Sequence, residues 1–471
     1  MENSEPCSDN DSIALSPAYS IGGANQPINL YEGVLEVTKG EITEQGDGNL
    51  SFVWLPYPHF EFYLLQHNEL CQGIRGRCSL RLPTFDVVAE VEILEIFYGS
   101  HEYEIQTKIS GRLLESIVIE PSQEILYVLF HLTNFKLFLG SWISSPDSET
   151  PARWKGRVIL ETEGWKVTID AFKEINDLVR SLHSLSGYAV THVGKLERSN
   201  GKEFTAKEAR DFLEALFYFL SFTRGLWSEL ILPVGYNASG NPVWIEWNPQ
   251  RVKVDRWQDE EQEVYSWFWI DGSHSLVEIF PSFMRKWRDW GESLESVIHW
   301  YVESNKQVGG VKGSIVLATA ALELLSWVTL VDKGSVSKED FENPNNKKYG
   351  STSKKINRLI EELCIDKNIQ KIRESQTNLA EFDRNFLGNK NNGLYAFTEV
   401  RNSITHATPE NRARLRNMPD ATLIEAWELG LWYLELILLR LFDYQGFYEN
   451  RMLRRRLIGG IETVPWVSTN S

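Results

Sequence analysis

The segment FTEVRNSITHATPENRARLR, residues 397–416, gathers the side chains in this 471-residue sequence best suited to chemistry: Arg401, Asn402 and His406, just ahead of Pro409. Histidine titrates near neutral pH, so it can take a proton from a ribose 2′-hydroxyl or give one to a leaving 5′-oxygen. Arginine stays charged and can hold a phosphate through two parallel hydrogen bonds while negative charge builds on it. Together they are the minimum for metal-independent cleavage of RNA, in which the 2′-oxygen attacks the adjacent phosphate. Residues four apart share a helix face, which sets Asn402 beneath His406, whereas Arg401 lies about 140° away and must curl round on its long side chain. Spacing alone leaves open whether the groups converge; the alternative is a polar helical turn holding an Arg and a His by chance.

The elements that would carry these groups read as helices from Lys312 onward: 314–331, 353–364, 366–384, 394–408 and 421–445, with a polar loop over 332–352. Pro409 is expected to end the fourth. Thr422 followed by Glu425 reads as a capping box opening the fifth, whose Leu423, Trp427, Leu431, Leu434, Leu438 and Leu441 form a helical stripe. The apolar run SIVLATAALELLSWVTLV, 314–331, carries Glu323 and several hydroxyls, which disfavours a lipid-facing span and points to a buried helix. The expectation is an all-α bundle over 311–450 followed by a basic, then polar tail over 451–471.

Upstream, residues 1–26 lack periodicity and read as a flexible leader. Residues 27–170 form a β-rich domain with strands near 50–55, 60–65, 87–99, 117–135 and 157–170, separated by turns such as Gly46-Asp47-Gly48, as in an antiparallel sheet or sandwich. Residues 171–310 read as a mixed α/β regulatory region. It holds a helix over 171–187, a second over 206–225 opened by the capping box Thr205 to Glu208, and a hairpin over 229–247 turning at 237–241. The fold class is therefore α+β and multidomain.

The stretch EVRNSITHA resembles the Arg-x4-His signature of HEPN nucleases, including the polar residue after the arginine, and the helix ATAALELLSW, 318–327, is similar to the first long helix of such bundles. LFHLTNFKLFLGS, 129–141, and the stretch 187–225 resemble the N-terminal region of ApeA-like phage-defence proteins. The resemblance implies a ribonuclease of abortive infection that works as a homodimer, with two Arg–His pairs meeting in one cleft. On the matching positions Arg401 would stabilise the scissile phosphate, His406 would serve as acid or base, Asn402 would orient them, and Glu323 would be either catalytic or a structural partner of Arg401. RNA, tRNA included, is the implied substrate and a phage-derived activator the implied trigger.

Charge permits this reading. The chain carries −17, yet residues 311–460 sum to +3 and the remainder to −20, so the acidity belongs to the front. Arg412, Arg414 and Arg416, with the tail residues Arg451, Arg454, Arg455 and Arg456, are candidates for salt-sensitive phosphate contacts, or else a solvated cationic face. No HExxH, CxxC, paired His-x-His or Walker loop occurs, so no metal or cofactor is expected. Cys7, Cys71, Cys78 and Cys364 are too sparse for a disulfide framework, the N-terminus lacks a secretory pattern, and a cytoplasmic location without a membrane span follows. His131, His183 and the tryptophans 244–269 read as structural or core residues. Two rival functions stay open: a non-catalytic RNA-binding or dimerisation scaffold, and a ligand-binding β-domain with a helical dimerisation module.

Overall fold

The computed structural model describes residues 12–67, 73–101, 104–119, 124–145, 152–257, 265–269, 272–453 and 460–467. The chain divides into two units: residues 1–217 with 227–263, and residues 218–226 with 264–471.

In the first unit six strands, β2 (Ile28–Lys39), β3 (Ile42–Val53), β4 (His59–His67), β5 (Gly76–Leu82), β6 (Val87–His101) and β7 (Glu104–Leu113), close into an antiparallel barrel in the order β2-β3-β4-β7-β6-β5. Strict alternation drives this: Phe60, Phe62 and Leu64 on β4 and Leu50 and Phe52 on β3 turn inward while their neighbours face out. The expected sheet or sandwich is thus a barrel, because β2 pairs with both β3 and β5. Gly46-Asp47-Gly48 is not a turn but lies inside β3. A Cβ on Gly48 would stand 2.2 Å from the Tyr63 carbonyl oxygen, so glycine there permits the close approach of β4.

The strands that follow the barrel in sequence join β1, which precedes it, in a nine-stranded sheet in the order β1-β10-β11-β12-β13-β9-β14-β15-β8. Its strands are β1 (Ser12–Ile13), β8 (Ile117–Ile119), β9 (Tyr127–Thr133), β10 (Ser141–Ser144), β11 (Arg153–Thr162), β12 (Trp165–Ala171), β13 (Val190–Arg198), β14 (Leu230–Tyr236) and β15 (Pro242–Trp247). Helices α1 (Ile175–Leu185) and α2 (Ala206–Arg224) interrupt it. The reciprocal capping box forms as expected: Glu208 N–H donates to Thr205 Oγ1 at 3.2 Å and Thr205 N–H to Glu208 Oε2 at 2.9 Å. Because β13 sits between β12 and β9, the expected boundary at 170/171 runs through the middle of one sheet.

Of the expected leader, residues 1–11 lie outside the described residues, whereas 12–26 is tied down. The Ile13 carbonyl accepts from Arg157 Nη2 at 2.7 Å, Leu15 N–H donates to Asp170 Oδ2 at 2.8 Å, and Ala18 N–H donates to His131 Nε2 at 3.2 Å. Arg157 and Asp170 form a buried ion pair, so the strap seals charges that need partners.

The second unit is helical: α3 (Ser273–Asn305), α4 (Gly310–Trp327), α5 (Lys338–Glu342), α6 (Thr352–Glu362), α7 (Thr377–Phe382), α8 (Gly393–Thr405), α9 (Pro409–Arg416) and α10 (Asp420–Leu441). α3, unforeseen, buries Ile279, Phe283, Trp290, Leu294, Val297, Ile298 and Tyr301 at helical spacing, which moves the start of the helical unit well before 311. α10 is buried almost all round and packs against α3, α4, α7 and α8. The Thr422–Glu425 capping box does not form. Glu425 instead accepts the N–H groups of Asn378 and Leu379 at the start of α7, because its carboxylate faces the interior. Among the described residues one stretch, Gly310–Asp332, is long and apolar enough to cross a bilayer; it packs against α3, α6, α8 and α10 with Ile315, Ala318, Leu322 and Leu325 buried. The expected tail is partly folded: β16 (Phe447–Glu449) pairs with β17 (Ile461–Thr463), and Trp466 Nε1 donates to the Tyr444 carbonyl.

Candidate active site

Helix α8 opens with Asn392, whose side chain accepts from Tyr395 N–H at 2.8 Å, and its apolar face, Leu394, Phe397 and Val400, is buried. That burial turns the polar side outward and holds Arg401 at the rim. Arg401 Nη2 lies 3.6 Å from Glu323 Oε2 on α4, and Arg401 Nη1 donates to Asn402 Oδ1 at 3.4 Å. Its Nε is buried with no partner among the described residues. Glu323 also accepts from Thr352 Oγ1, at the start of α6.

The network continues through a residue that the spacing argument passed over. Glu399 Oε1 accepts from Asn402 Nδ2 at 3.1 Å, and Glu399 Oε2 lies 3.6 Å from Arg414 Nη1 on α9. Asn402 is therefore clamped between a cation and an anion, which fixes its amide orientation. The i to i+3 spacing of Glu399 and Asn402 was the available signal.

His406 sits elsewhere than helical geometry implied. α8 ends at Thr405, and His406 is its C-cap in extended conformation, so it no longer stacks above Asn402. Its N–H donates to the Asn402 carbonyl at 3.0 Å, and its carbonyl accepts from Thr408 N–H at 2.9 Å and Asn411 Nδ2 at 3.1 Å. The backbone is fixed while the ring is exposed and makes no hydrogen bond among the described residues. Pro409 does not merely end a helix: it is the first residue of α9, where its missing N–H costs nothing, and Thr408 caps that helix through Asn411 N–H at 3.2 Å.

The cationic candidates separate. Arg412 and Arg416 are exposed and four apart on α9, whereas Arg414 is half-buried in its pair with Glu399. Arg454, Arg455 and Arg456 lie outside the described residues. Arg451 is not a surface contact: it is buried against Glu435, with 2.5 Å between Nη2 and Oε1.

Other candidates fall to structural roles. Trp244, Trp247 and Trp267 are sealed in the interior and cannot stack on a base, while Trp257 packs edge-on against His183. His131 is fully buried with its pKa lowered to about 4 by desolvation, and Cys78 is buried with its thiol pushed up. Cys7 and Cys71 lie outside the described residues, and Cys364 is exposed. Among the described residues no cluster of His, Cys, Asp and Glu is arranged to hold a metal ion.

An α+β protein with a barrel, an extended, mostly antiparallel sheet and a helical unit bearing an Arg–Glu–Asn network is what fold and site define. Residues 120–259 match the family model of the YopA central domain and residues 287–462 that of the YopA C-terminal domain. Over 472 residues the chain is 27% identical to the SPbeta prophage-derived uncharacterized protein YopA of Bacillus subtilis (strain 168), covering 97% of this chain and 99% of that one. No solved structure matches. The central-domain match lies in the first unit except for residues 218–226, which belong to the second, and the C-terminal match lies in the second, with the barrel ahead of both in sequence.

Proposed function

We propose that the helical unit is a metal-independent endoribonuclease of the HEPN type, acting in the cytoplasm as a homodimer in abortive defence against phage and regulated by the β-rich unit. The observation that carries the reading is Arg401, braced by Glu323 and Asn402, on the helix whose end presents the exposed ring of His406. In this reading a histidine takes the 2′-hydroxyl proton, the 2′-oxygen attacks phosphorus, and the P–O5′ bond breaks with a proton delivered to the 5′-oxygen. The products are a 2′,3′-cyclic phosphate and a 5′-hydroxyl. Arg401 faces the charge that builds on the phosphoryl oxygens. Two-fold pairing supplies a second histidine, so that one copy acts as base and the other as acid. Arg412 and Arg416 offer phosphate contacts on a neighbouring helix. RNA, tRNA among the candidates, is the substrate and a phage component the trigger. A relative named as prophage-derived suits a protein at work in conflict between phages.

Wild type, His406→Ala and Arg401→Ala, purified and incubated with total RNA in EDTA, test this, alongside survival of a bacterial host under phage challenge. Wild type should leave 5′-hydroxyl ends and protect, and both variants should lose both effects. Equal cleavage by His406→Ala, or protection unchanged by Arg401→Ala, removes the proposal.

A second reading draws on the same contact: Glu323 engages Arg401 as a tie between α4 and α8, and the unit binds RNA or a second copy without cutting. Under it, Arg401→Ala lowers stability and leaves phage protection intact.

A further inference from the structure

A cavity of about 440 Å³ opens on the helical unit between residues 371–375 and the turn bearing Met452 and Leu453. Its cations are Lys371 and Arg373. The Arg373 guanidinium carbon stands 4.4 Å from the ring centroid of Trp432, whose indole is wholly buried. Stacking of this kind holds the guanidinium plane while leaving its edge donors free. Among the described residues neither the Arg373 nor the Lys371 side chain has a hydrogen bond or an ion pair. Burial raises the Tyr433 and Tyr448 phenols, and Arg373 pulls against that rise, so its charge reaches a desolvated region.

The turn behind it is braced by a side chain. Gln376, itself buried, accepts Arg373 N–H on Oε1 at 2.9 Å, and its Nε2 donor has no partner among the described residues. A half-buried guanidinium without an anion is an incomplete arrangement, because the cost of removing its water is not offset by a partner. A phosphate completes it by accepting two parallel hydrogen bonds from the fork. Ile372, Met452 and Leu453 give the same cavity an apolar wall. Its volume lies in the range of about 300–1,000 Å³ typical of small-ligand sites.

We propose that this cavity binds a small phosphorylated ligand of the mononucleotide class, with Arg373 and Lys371 on the phosphate and the apolar wall against the base. Glu374, exposed, is the one acidic residue in the lining. The site shares no residue with the Arg401 network, so it stands or falls independently of the ribonuclease reading.

Isothermal titration of the full chain with AMP, orthophosphate and adenosine tests it. AMP should bind, orthophosphate more weakly, and adenosine not measurably. Arg373→Gln and Lys371→Gln should each weaken AMP binding by about tenfold or more, Arg373→Lys should fall between, and Lys195→Gln, in the other unit, should match wild type. AMP should also raise the melting temperature of wild type and not of Lys371→Gln, which decides the matter if Arg373→Gln fails to fold. Absence of AMP binding by wild type, adenosine binding equal to AMP, or undiminished AMP binding by Lys371→Gln overturns the proposal.

Discussion

Two arginine–glutamate pairs in the helical unit look alike in sequence and differ in consequence. Glu435 on α10 is wholly buried, accepts from Tyr301 Oη at 2.7 Å, and meets Arg451 in an interior ion pair. Arg451→Ala would strand that carboxylate without a cation, at a cost of about 3–5 kcal/mol. Urea unfolding of the full chain measures this, and an unchanged midpoint would refute it. The Arg401–Glu323 pair is wetter, with the side chains 19% and 34% exposed, so Glu323→Gln should alter stability by about 1 kcal/mol or less. Any large effect of Glu323→Gln on RNA cleavage would then come from the orientation of Arg401 rather than from unfolding. Sequence spacing identified Arg401, Asn402 and His406 as candidates, and the family resemblance added Glu323. Spacing could not say that Arg451 turns inward, because burial depends on the whole of α3 and α10.

At the scale of elements, the crossing of α8 and α10 depends on a missing side chain. A Cβ on Gly430 would stand 2.5 Å from Phe397 Cε2, one turn before Arg401 on the same helix. Gly430→Ala gains about 1 kcal/mol of helix propensity yet overpacks a filled contact, so it should destabilise by about 1–3 kcal/mol net. Gly291 in α3 has open space around its Cβ position, and Gly291→Ala should stabilise by about 0.5–1 kcal/mol. Denaturant midpoints of the two variants should move in opposite directions; a shared direction sinks the packing argument. Local signals served well where the partner was local. Thr205 and Glu208 cap α2 as their spacing says, whereas Glu425, with the same spacing from Thr422, caps α7 across space. A carboxylate takes whichever free N–H groups the fold brings to it.

Over the whole molecule, buried titratable groups in the first unit set opposite pH limits. Burial raises Glu229 to about 8, against the pull of the Lys253 and Leu230 N–H groups and the Arg251 and Lys253 charges. The folded state therefore holds that proton more tightly than the unfolded chain, and stability falls as pH rises from about 4.5 through 8. Desolvation lowers His131 to about 4 and His192 to about 3, so their contribution, complete above about 6.5, is lost as pH falls toward those values. Melting temperature against pH should peak near the crossing of these windows. Glu229→Gln should flatten the alkaline side; an unaltered alkaline slope would count against this account. What the sequence determined by itself was local: strand alternation, helix stripes, the cap at Thr205, the turn at 237–241, the acidic front and the Arg401–His406 motif. All of these but the charge count rest on residues a few positions apart. Only the tertiary structure decided that β2 closes a barrel on β5, that β13 slots between β12 and β9, that residues 12–26 strap the sheet, and that His406 leaves the helix beside Arg401. Those outcomes turn on pairings between distant segments, and hydrophobic alternation favours pairing without naming the partner.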